Sequence, residues 1–547
     1  MKNFVIIVEK ENSDQIRHSQ LKLNNWVWEF IGDRELLVTD IKNSKDGDFP
    51  KYYRIDFNEE SIRITPSLLS IYPIYYYEDT QRILVASRIS LLQEILPNKL
   101  TINKKFLLEK NLFNYSFSES TIYNEIKLVP SNASVEISDR IELKKILTIE
   151  DHFVENPNEW NNNLDDLVDL FIGVNKNSIK DGDFISFTGG FDGRSLVALG
   201  KYFGKGFGTY SFGNESNDDL TLPRSQAKRL GIPFTPVNLD ENYLKDFWEM
   251  GSKLVCDHSL NTNLAQVHWY YAAKSLSRNT GTVVTGIFGS ELFRTFHLPG
   301  QFISRHIISM INSTDIKKWA CELKATHELK FLNIEEFKSE LEEVIDRVND
   351  YKIQNSHLPK NLLLYKFGYE ESFRKFFGNQ FISPMNDFVT VKAPYLNWNF
   401  ITELLKSKFS GVNNDFMTDN PIKRLKGQLF YAKLIERTFP KLLDYPTNKG
   451  YAPGDLLSID GRMRIAISFF RKRLKRRMFG VDLDNLSIIS AIEENRNKFN
   501  FLEVSELYNS SFVNDIGQSS LIEKNEVLRN KYLEVMSHLI FLSNFKA

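Results

Sequence analysis

Ser186-Phe187-Thr188-Gly189-Gly190-Phe191-Asp192-Gly193-Arg194-Ser195 joins a short apolar segment, 183–187, to a segment with helical patterning, 194–202. Two adjacent glycines carry no Cβ, so backbone N–H groups at such a turn can approach an anion unobstructed. The start of the following helix adds the positive end of its dipole. Thr188 offers a hydroxyl donor. Asp192 puts a carboxylate beside the anion, where it suits a Mg²⁺ ion bridging phosphates. The plain alternative is a tight strand–helix turn with a helix-capping aspartate. No Gly-Lys-Ser/Thr follows, so this is not a Walker A loop. The Gly-Lys-Gly-Phe-Gly run at 204–208 precedes a strand and reads as a loop.

Working outward, strand patterns at 208–212, 234–239 and 282–285 alternate with helical patterns at 219–230 and 264–276. Alternation of this kind predicts an α/β, doubly wound parallel sheet, with ligands at the carboxyl ends of its strands. Beyond about 300 the pattern is mainly helical. Residues 1–150 read differently. Short runs rich in β-branched and aromatic residues at 4–8, 26–29, 36–38, 52–57, 61–65, 74–77, 83–87 and 133–137 are separated by turn-forming clusters such as 43–48, giving a mostly β domain with one or two helices. The polar stretch 150–163, with Pro157 inside it, reads as a linker. The predicted division is 1–150, 165–460 and a helical extension over 461–547.

The chain has 547 residues, 42% of them hydrophobic and 25% charged, which is ordinary for a globular protein of two or more domains. Lys plus Arg number 69 and Asp plus Glu 70, a balance that gives no reason to expect nucleic acid as a partner. Cys256 and Cys321 are the only cysteines and have no metal-binding spacing, which fits a reducing cytoplasm. No apolar run approaches the roughly 18–20 residues of a transmembrane segment. The run at 4–8 is too short for a signal-peptide core. A cytoplasmic location is expected.

The segment 186–195 resembles the Ser-Gly-Gly-x-Asp-Ser pyrophosphate loop of the ATP-pyrophosphatase superfamily and, more narrowly, the synthetase domain of asparagine synthetase. Three further stretches follow in that family's order. Gly286-Ile287-Phe288-Gly289-Ser290-Glu291-Leu292-Phe293 resembles its Gly-Glu-Gly-x-Asp-Glu-hydrophobic-Phe turn. Ala393-Pro394-Tyr395-Leu396-Asn397 resembles Arg-x-Pro-Phe-Leu-Asp. Asn448-Lys449-Gly450-Tyr451 resembles Lys-x-Gly-Phe. Nearer the start, Pro73-Ile74-Tyr75-Tyr76, Leu84-Val85-Ala86-Ser87-Arg88 and Ile126-Lys127-Leu128-Val129-Pro130 resemble segments of the family's glutamine amidotransferase domain. The resemblance implies an adenine nucleotide α-hydrolase-like sheet behind a degenerate, Ntn-hydrolase-like N-terminal α+β domain. It also implies ATP and Mg²⁺ as cofactors. Ser186, Thr188, Gly189, Gly190, Phe191, Asp192, Gly193, Arg194 and Gly286 would bind the nucleotide, Asp192 and Glu291 the metal, and Lys449 with Glu291 would be catalytic.

The departures matter as much. Glutamine hydrolysis in that family needs a cysteine freed at the N-terminus, whereas here Met1 is followed by Lys2 and the first thiol is Cys256. The same loss is seen in the β-lactam synthetases and lasso-peptide macrolactam synthetases. The family's metal-binding Asp is Ser290 here, its first Glu is Ile287, and Gly193 replaces a Ser whose hydroxyl would touch pyrophosphate.

Other residues have plainer readings beside functional ones. Asp219 suits a nucleotide contact or a helix cap. Asp257 and His258 suit a substrate contact or a structural role. Glu370 and Glu371 suit a proton relay from an amine or a solvated helix face. Arg194 suits a phosphate contact or an outward cap. The basic helix 462–477 suits an acidic peptide, an anionic surface, or plain solvation.

The expectation is an ATP-dependent carbon–nitrogen ligase in specialised or peptide natural-product biosynthesis. It would adenylate a small-molecule or peptide carboxylate and couple it to an amine, with a precursor peptide or biosynthetic protein as partner. The alternatives are an ammonia-using amidating synthetase and a nucleotide-binding scaffold that has lost ligase chemistry.

Overall fold

A computed structural model describes residues 3–10, 21–23, 26–33, 36–38, 49–57, 61–96, 100–294, 296, 299–413, 425–479, 486–495, 506–519, 522 and 525–546. The turn cluster expected at 43–48 lies outside them, as does Lys2.

Among the described residues, eleven short strands build the N-terminal part: β1 (Phe4–Lys10), β2 (Leu21–Leu23), β3 (Trp26–Gly32), β4 (Leu37–Val38), β5 (Tyr53–Phe57), β6 (Ile62–Pro66), β7 (Tyr75–Glu78), β8 (Arg82–Ala86), β9 (Lys127–Leu128), β10 (Ala133–Ile137) and β11 (Ile141–Lys145). They form two sheets, ordered β2-β3-β1-β8-β7-β9 and β11-β10-β6-β5-β4. Pairing is antiparallel except between β4 and β5. Period-two patterning sets the faces. In β6, Ile62 and Ile64 are fully buried while Arg63 points out to Glu136 of β10.

The second part carries a parallel sheet of β12 (Phe184–Ser186), β13 (Gly208–Gly213), β14 (Phe234–Asn238), β15 (Thr282–Val284) and β16 (Thr390–Lys392). Its order is β14-β13-β12-β15-β16. The chain runs outward from β12 through β13 to β14, then returns to the other side of β12 as β15. The order therefore reverses between β12 and β15, and crevices at such a switch point hold ligands. The sheet has one strand more than its sequence predicts, because β16 joins from far along the chain.

The remainder is mainly helical. The last helix, Glu526–Lys546, packs against Lys104–Phe113 of the N-terminal part and against Glu241–Asp257. The linker expected over 150–163 is also ordered. It contains two 3-10 turns, Ile149–His152 and Pro157–Glu159, and Asn161 pairs with the backbone of Lys406 and Lys408. The basic segment lies within the helix Ile459–Phe479, but the side chains of 471–477 are outside the described residues. Among the described residues no helix is long and apolar enough to cross a membrane.

Candidate active site

Helix Asp192–Tyr202 begins directly beyond the end of β12, and Asp192 is its first residue. Two glycines of the turn after β15 let the chain close over this carboxylate. A Cβ at Gly286 would lie 2.8 Å from Asp192 Cβ, and one at Gly289 would lie 3.1 Å from its Cγ. The tight approach brings Glu291, on the short helix Gly289–Phe293, into the electrostatic neighbourhood of Asp192. Burial, and then the Glu291 charge, push the Asp192 carboxyl up to about 6. Tyr431, Lys449 and Arg294 oppose that rise only in part. The buried Tyr431 hydroxyl makes no well-formed hydrogen bond but acts on the Asp192 carboxylate.

Four segments that are distant in sequence thus meet around Asp192 and its turn. Besides the two turns, Tyr395 of the 393–397 segment shares a hydrogen bond with Ser195 and donates to the Asp192 carbonyl at 3.3 Å. The 448–451 segment docks on the first turn, with Asn448 N–H donating to the Gly189 carbonyl at 2.8 Å. Lys449 Nζ lies 5.2 Å above the Phe191 ring. Phe191 itself packs between Tyr431 and Tyr451.

Several expected roles change. Arg194 neither reaches for phosphate nor caps into solvent. It is fully buried and donates to the carbonyls of Gly190, Tyr445 and Pro446 at 3.4, 3.0 and 3.1 Å. It is a clamp that fixes the approach to Lys449. Asp219 is not the helix cap, since Asn217 holds that position. The Asp219 carboxylate instead accepts from Gly189 N–H at 3.1 Å and from Asn448 Nδ2 at 3.0 Å. It already places an anionic oxygen on the turn. Gly190 N–H meets Thr188 Oγ1 at 3.3 Å.

Gly193 is not simply a serine that has lost its hydroxyl. A Cβ there would lie 2.1 Å from the Ser186 carbonyl oxygen, so the helix can rest on the end of β12 only with glycine at this position. Glu370 and Glu371 are not on a solvated face. Glu371 pairs with Arg374 at 2.9 Å and Lys375 at 2.6 Å, and Glu370 with Lys145 at 3.3 Å.

His258 Nε2 lies 2.9 Å from Asp387, whose other oxygen takes Arg88 of the N-terminal part. Burial alone would raise the Asp387 carboxyl, but His258 and Arg88 hold it below its usual range. This cluster joins the two parts of the molecule, apart from the Asp192 turn. Cys256 is half-buried, and burial, then Asp257, push its thiol up to about 11, far from a neutral-pH nucleophile.

Ser290 Oγ and Arg294 Nη2 each donate to Glu291 Oε1 at 2.7 Å. Among the described residues no group of three or more His, Cys, Asp or Glu side chains converges as a metal cage. The Asp192–Glu291 pair alone suits a hard ion such as Mg²⁺, which commonly takes one or two carboxylates and fills its other positions with water and phosphate oxygens. Tyr431 carries no signal in the sequence, as it acts on Asp192 only through packing from a distant segment, and Arg294, three residues beyond Glu291, belongs to no motif that the sequence offers. No protein-family model matches the chain, and no curated protein matches it either.

Proposed function

We propose that the chain is an ATP-dependent amide-forming ligase of the asparagine-synthetase kind, with an adenine nucleotide α-hydrolase-like sheet and a degenerate Ntn-hydrolase-like N-terminal part. It would adenylate a carboxylate substrate, release pyrophosphate, and pass the acyl group to an amine. The observation that carries the reading is the convergence of 186–195, 286–293, 393–397 and 448–451 on Asp192 at the switch point of the parallel sheet.

Mg²⁺, when bound, would neutralise phosphate charge and offset the Asp192–Glu291 repulsion. Asp192 and Glu291 would hold it. The Gly189 N–H, which donates to the Asp219 carboxylate at 3.1 Å, would have to exchange that oxygen for one of phosphate. Lys449, carried by a segment that Arg194 and Asn448 fasten, would stabilise negative charge developing beside the turn. Tyr395 and Ser195 fix the backbone of Asp192. The amine would be a group on the substrate, a second amine, or ammonia, because neither Cys256 nor Cys321 lies in the N-terminal part.

One observation favours a second reading, a nucleotide-binding scaffold. Arg294 already sits on Glu291, where the ion would bind. Calorimetry with Mg–ATP and ATP–pyrophosphate exchange over a panel of carboxylates separate the two. The ligase reading expects binding that Asp192→Ala weakens, and exchange that depends on a carboxylate. Binding without exchange leaves the scaffold, and no ATP affinity at all ends both.

A further inference from the structure

A cavity of about 570 Å³ lies where the N-terminal part meets the edge of the parallel sheet. That volume fits one small molecule, and domain junctions are a common place for such sites. Both parts of the molecule contribute walls. Phe49, Lys51 and Tyr72 face it from one side, and Lys180, Lys392 and Trp398 from the other.

The aromatic walls are braced. Trp398 is held edge-on by Phe49, with ring centroids 6.1 Å apart, and by His152 at 4.8 Å. Tyr72 is buried and packs edge-on against Tyr52 at 4.8 Å. Flat, fixed rings of this kind accept another ring at small entropic cost.

The charge is one-sided. Three lysines line the cavity, and among the described residues that line it none carries a carboxylate. Lys392 is balanced by Asp183, 2.6 Å away. Lys51 and Lys180 are exposed, and neither is in an ion pair among the described residues, the Lys51 ammonium lying 4.8 Å over the Tyr52 ring. The surplus is positive, and a concave site concentrates such a field. The amides of Asn177 and Asn399 add hydrogen-bond donors there.

The cavity is separate from the Asp192 turn. Ala393, Pro394 and Leu396 line it, while Tyr395 between them turns the other way to Ser195 and Asp192. We propose that this cavity is a binding site for a small anion on an aromatic frame, a carboxylate or phosphate group attached to a ring. The ring lies against Trp398 and Tyr72, and the anionic group meets Lys51 and Lys180. The site does not depend on the ligase reading.

The test uses 8-anilinonaphthalene-1-sulfonate, an anionic aromatic fluorophore, on the full chain. One saturable site is expected. N-acetylphenylalanine or phenyl phosphate displaces the probe, and the one effective at lower concentration identifies the head group. N-acetylphenylalaninamide, the same frame without the charge, displaces it at least tenfold more weakly. The double variant Lys51→Glu/Lys180→Glu binds the probe at least tenfold more weakly with an unchanged unfolding temperature, and Trp398→Leu also weakens it. Equal displacement by acid and amide, wild-type probe affinity in the charge-reversed variant, or no saturable site would overturn the proposal.

Discussion

Asp192 stands in an unfavourable place for a charge, between its own burial and the carboxylate of Glu291, and its carboxyl rises to about 6. The ordinary value, 3.8, applies once the chain unfolds. The folded state therefore holds the proton more tightly than the unfolded one. The stability tied to that proton is complete below pH 3.8 and lost as pH rises through 6. Asp192→Asn, which mimics the protonated form, should stabilise the ligand-free protein at pH 7.5 by roughly 1–3 kcal/mol. Denaturant titration should show this gain narrowing by roughly half at pH 5, while calorimetry shows Mg–ATP affinity falling. A variant less stable than wild type would mean that Asp192 is a structural anchor. Lys449 acts on the same carboxyl from the opposite direction, lowering it. Lys449→Ala should leave Mg–ATP affinity at pH 8 nearly unchanged but move the pH at which that affinity develops upward. Amide formation should fall by about 100- to 1000-fold. Binding with an unmoved pH profile and turnover at the wild-type rate would make Lys449 an ordinary loop lysine.

The turn after β15 shows what one element asks of another. Phe288 sits at φ +69°, a left-handed conformation that a bulky residue rarely adopts, and it is fully buried. Its ring is held edge-on by Phe373 at 5.2 Å and Phe377 at 4.8 Å. Both belong to Gly368–Ile382, wound as a π-helix over 15 residues. Long π-helices are rare, and shorter ones often mark functional sites. The polar side chains of this helix reach the N-terminal part: Arg374 to the Val129 carbonyl at 2.7 Å, and Lys375 to those of Ser116 and Ser118 at 2.7 and 2.8 Å. It thus links the N-terminal sheets to the turn that carries Glu291. Phe288→Gly and Phe288→Ala lose the same ring, but only glycine takes φ +69° freely. Phe288→Gly should therefore be the more stable of the two by about 1 kcal/mol, the reverse of the usual order. Equal stabilities in denaturant would place the turn in an unstrained conformation. None of this was legible in sequence, because neither a π-helix nor a positive φ at phenylalanine has a periodic signature. The first turn was legible because its glycines, its strand and its helix lie in one stretch of ten residues. β16 was not, since three residues become a strand only through pairing with β15. The packing of Gly193 and Arg194 has no sequence signature for a similar reason. The Ser186 carbonyl that excludes a Cβ is nearby, but helix packing brings it there, and the carbonyls that hold Arg194 include Tyr445 and Pro446, far along the chain.

At the scale of the whole molecule, the N-terminal part is bound to the rest through buried charge. Lys110, on the helix Lys104–Phe113, lies 3.0 Å from Glu534 of the last helix, both nearly inaccessible to solvent. The ammonium also meets the carbonyls of Leu260 and Thr262. Glu534 takes Asn263 and His538 as further partners. Burial alone would raise the Glu534 carboxyl, but Lys110, then His538 and Lys531, hold it down to about 2. This carboxylate's stabilisation is present above its ordinary value of 4.5 and is lost only as pH falls toward 2. The join should therefore hold through mild acid. Lys110 and Glu534 are far apart in sequence, so composition could give the near-zero balance of charge but not this pair. Breaking it from one side strands a buried charge, at a cost of roughly 3–5 kcal/mol, whereas replacing both ions by apolar groups of similar size is often nearly neutral. Lys110→Met should therefore destabilise the chain by about that amount in denaturant, and combining it with Glu534→Gln, which removes the stranded charge while an amide still faces Asn263 and His538, should recover part of the loss. Single and double losses that simply add would show that Lys110 and Glu534 act independently.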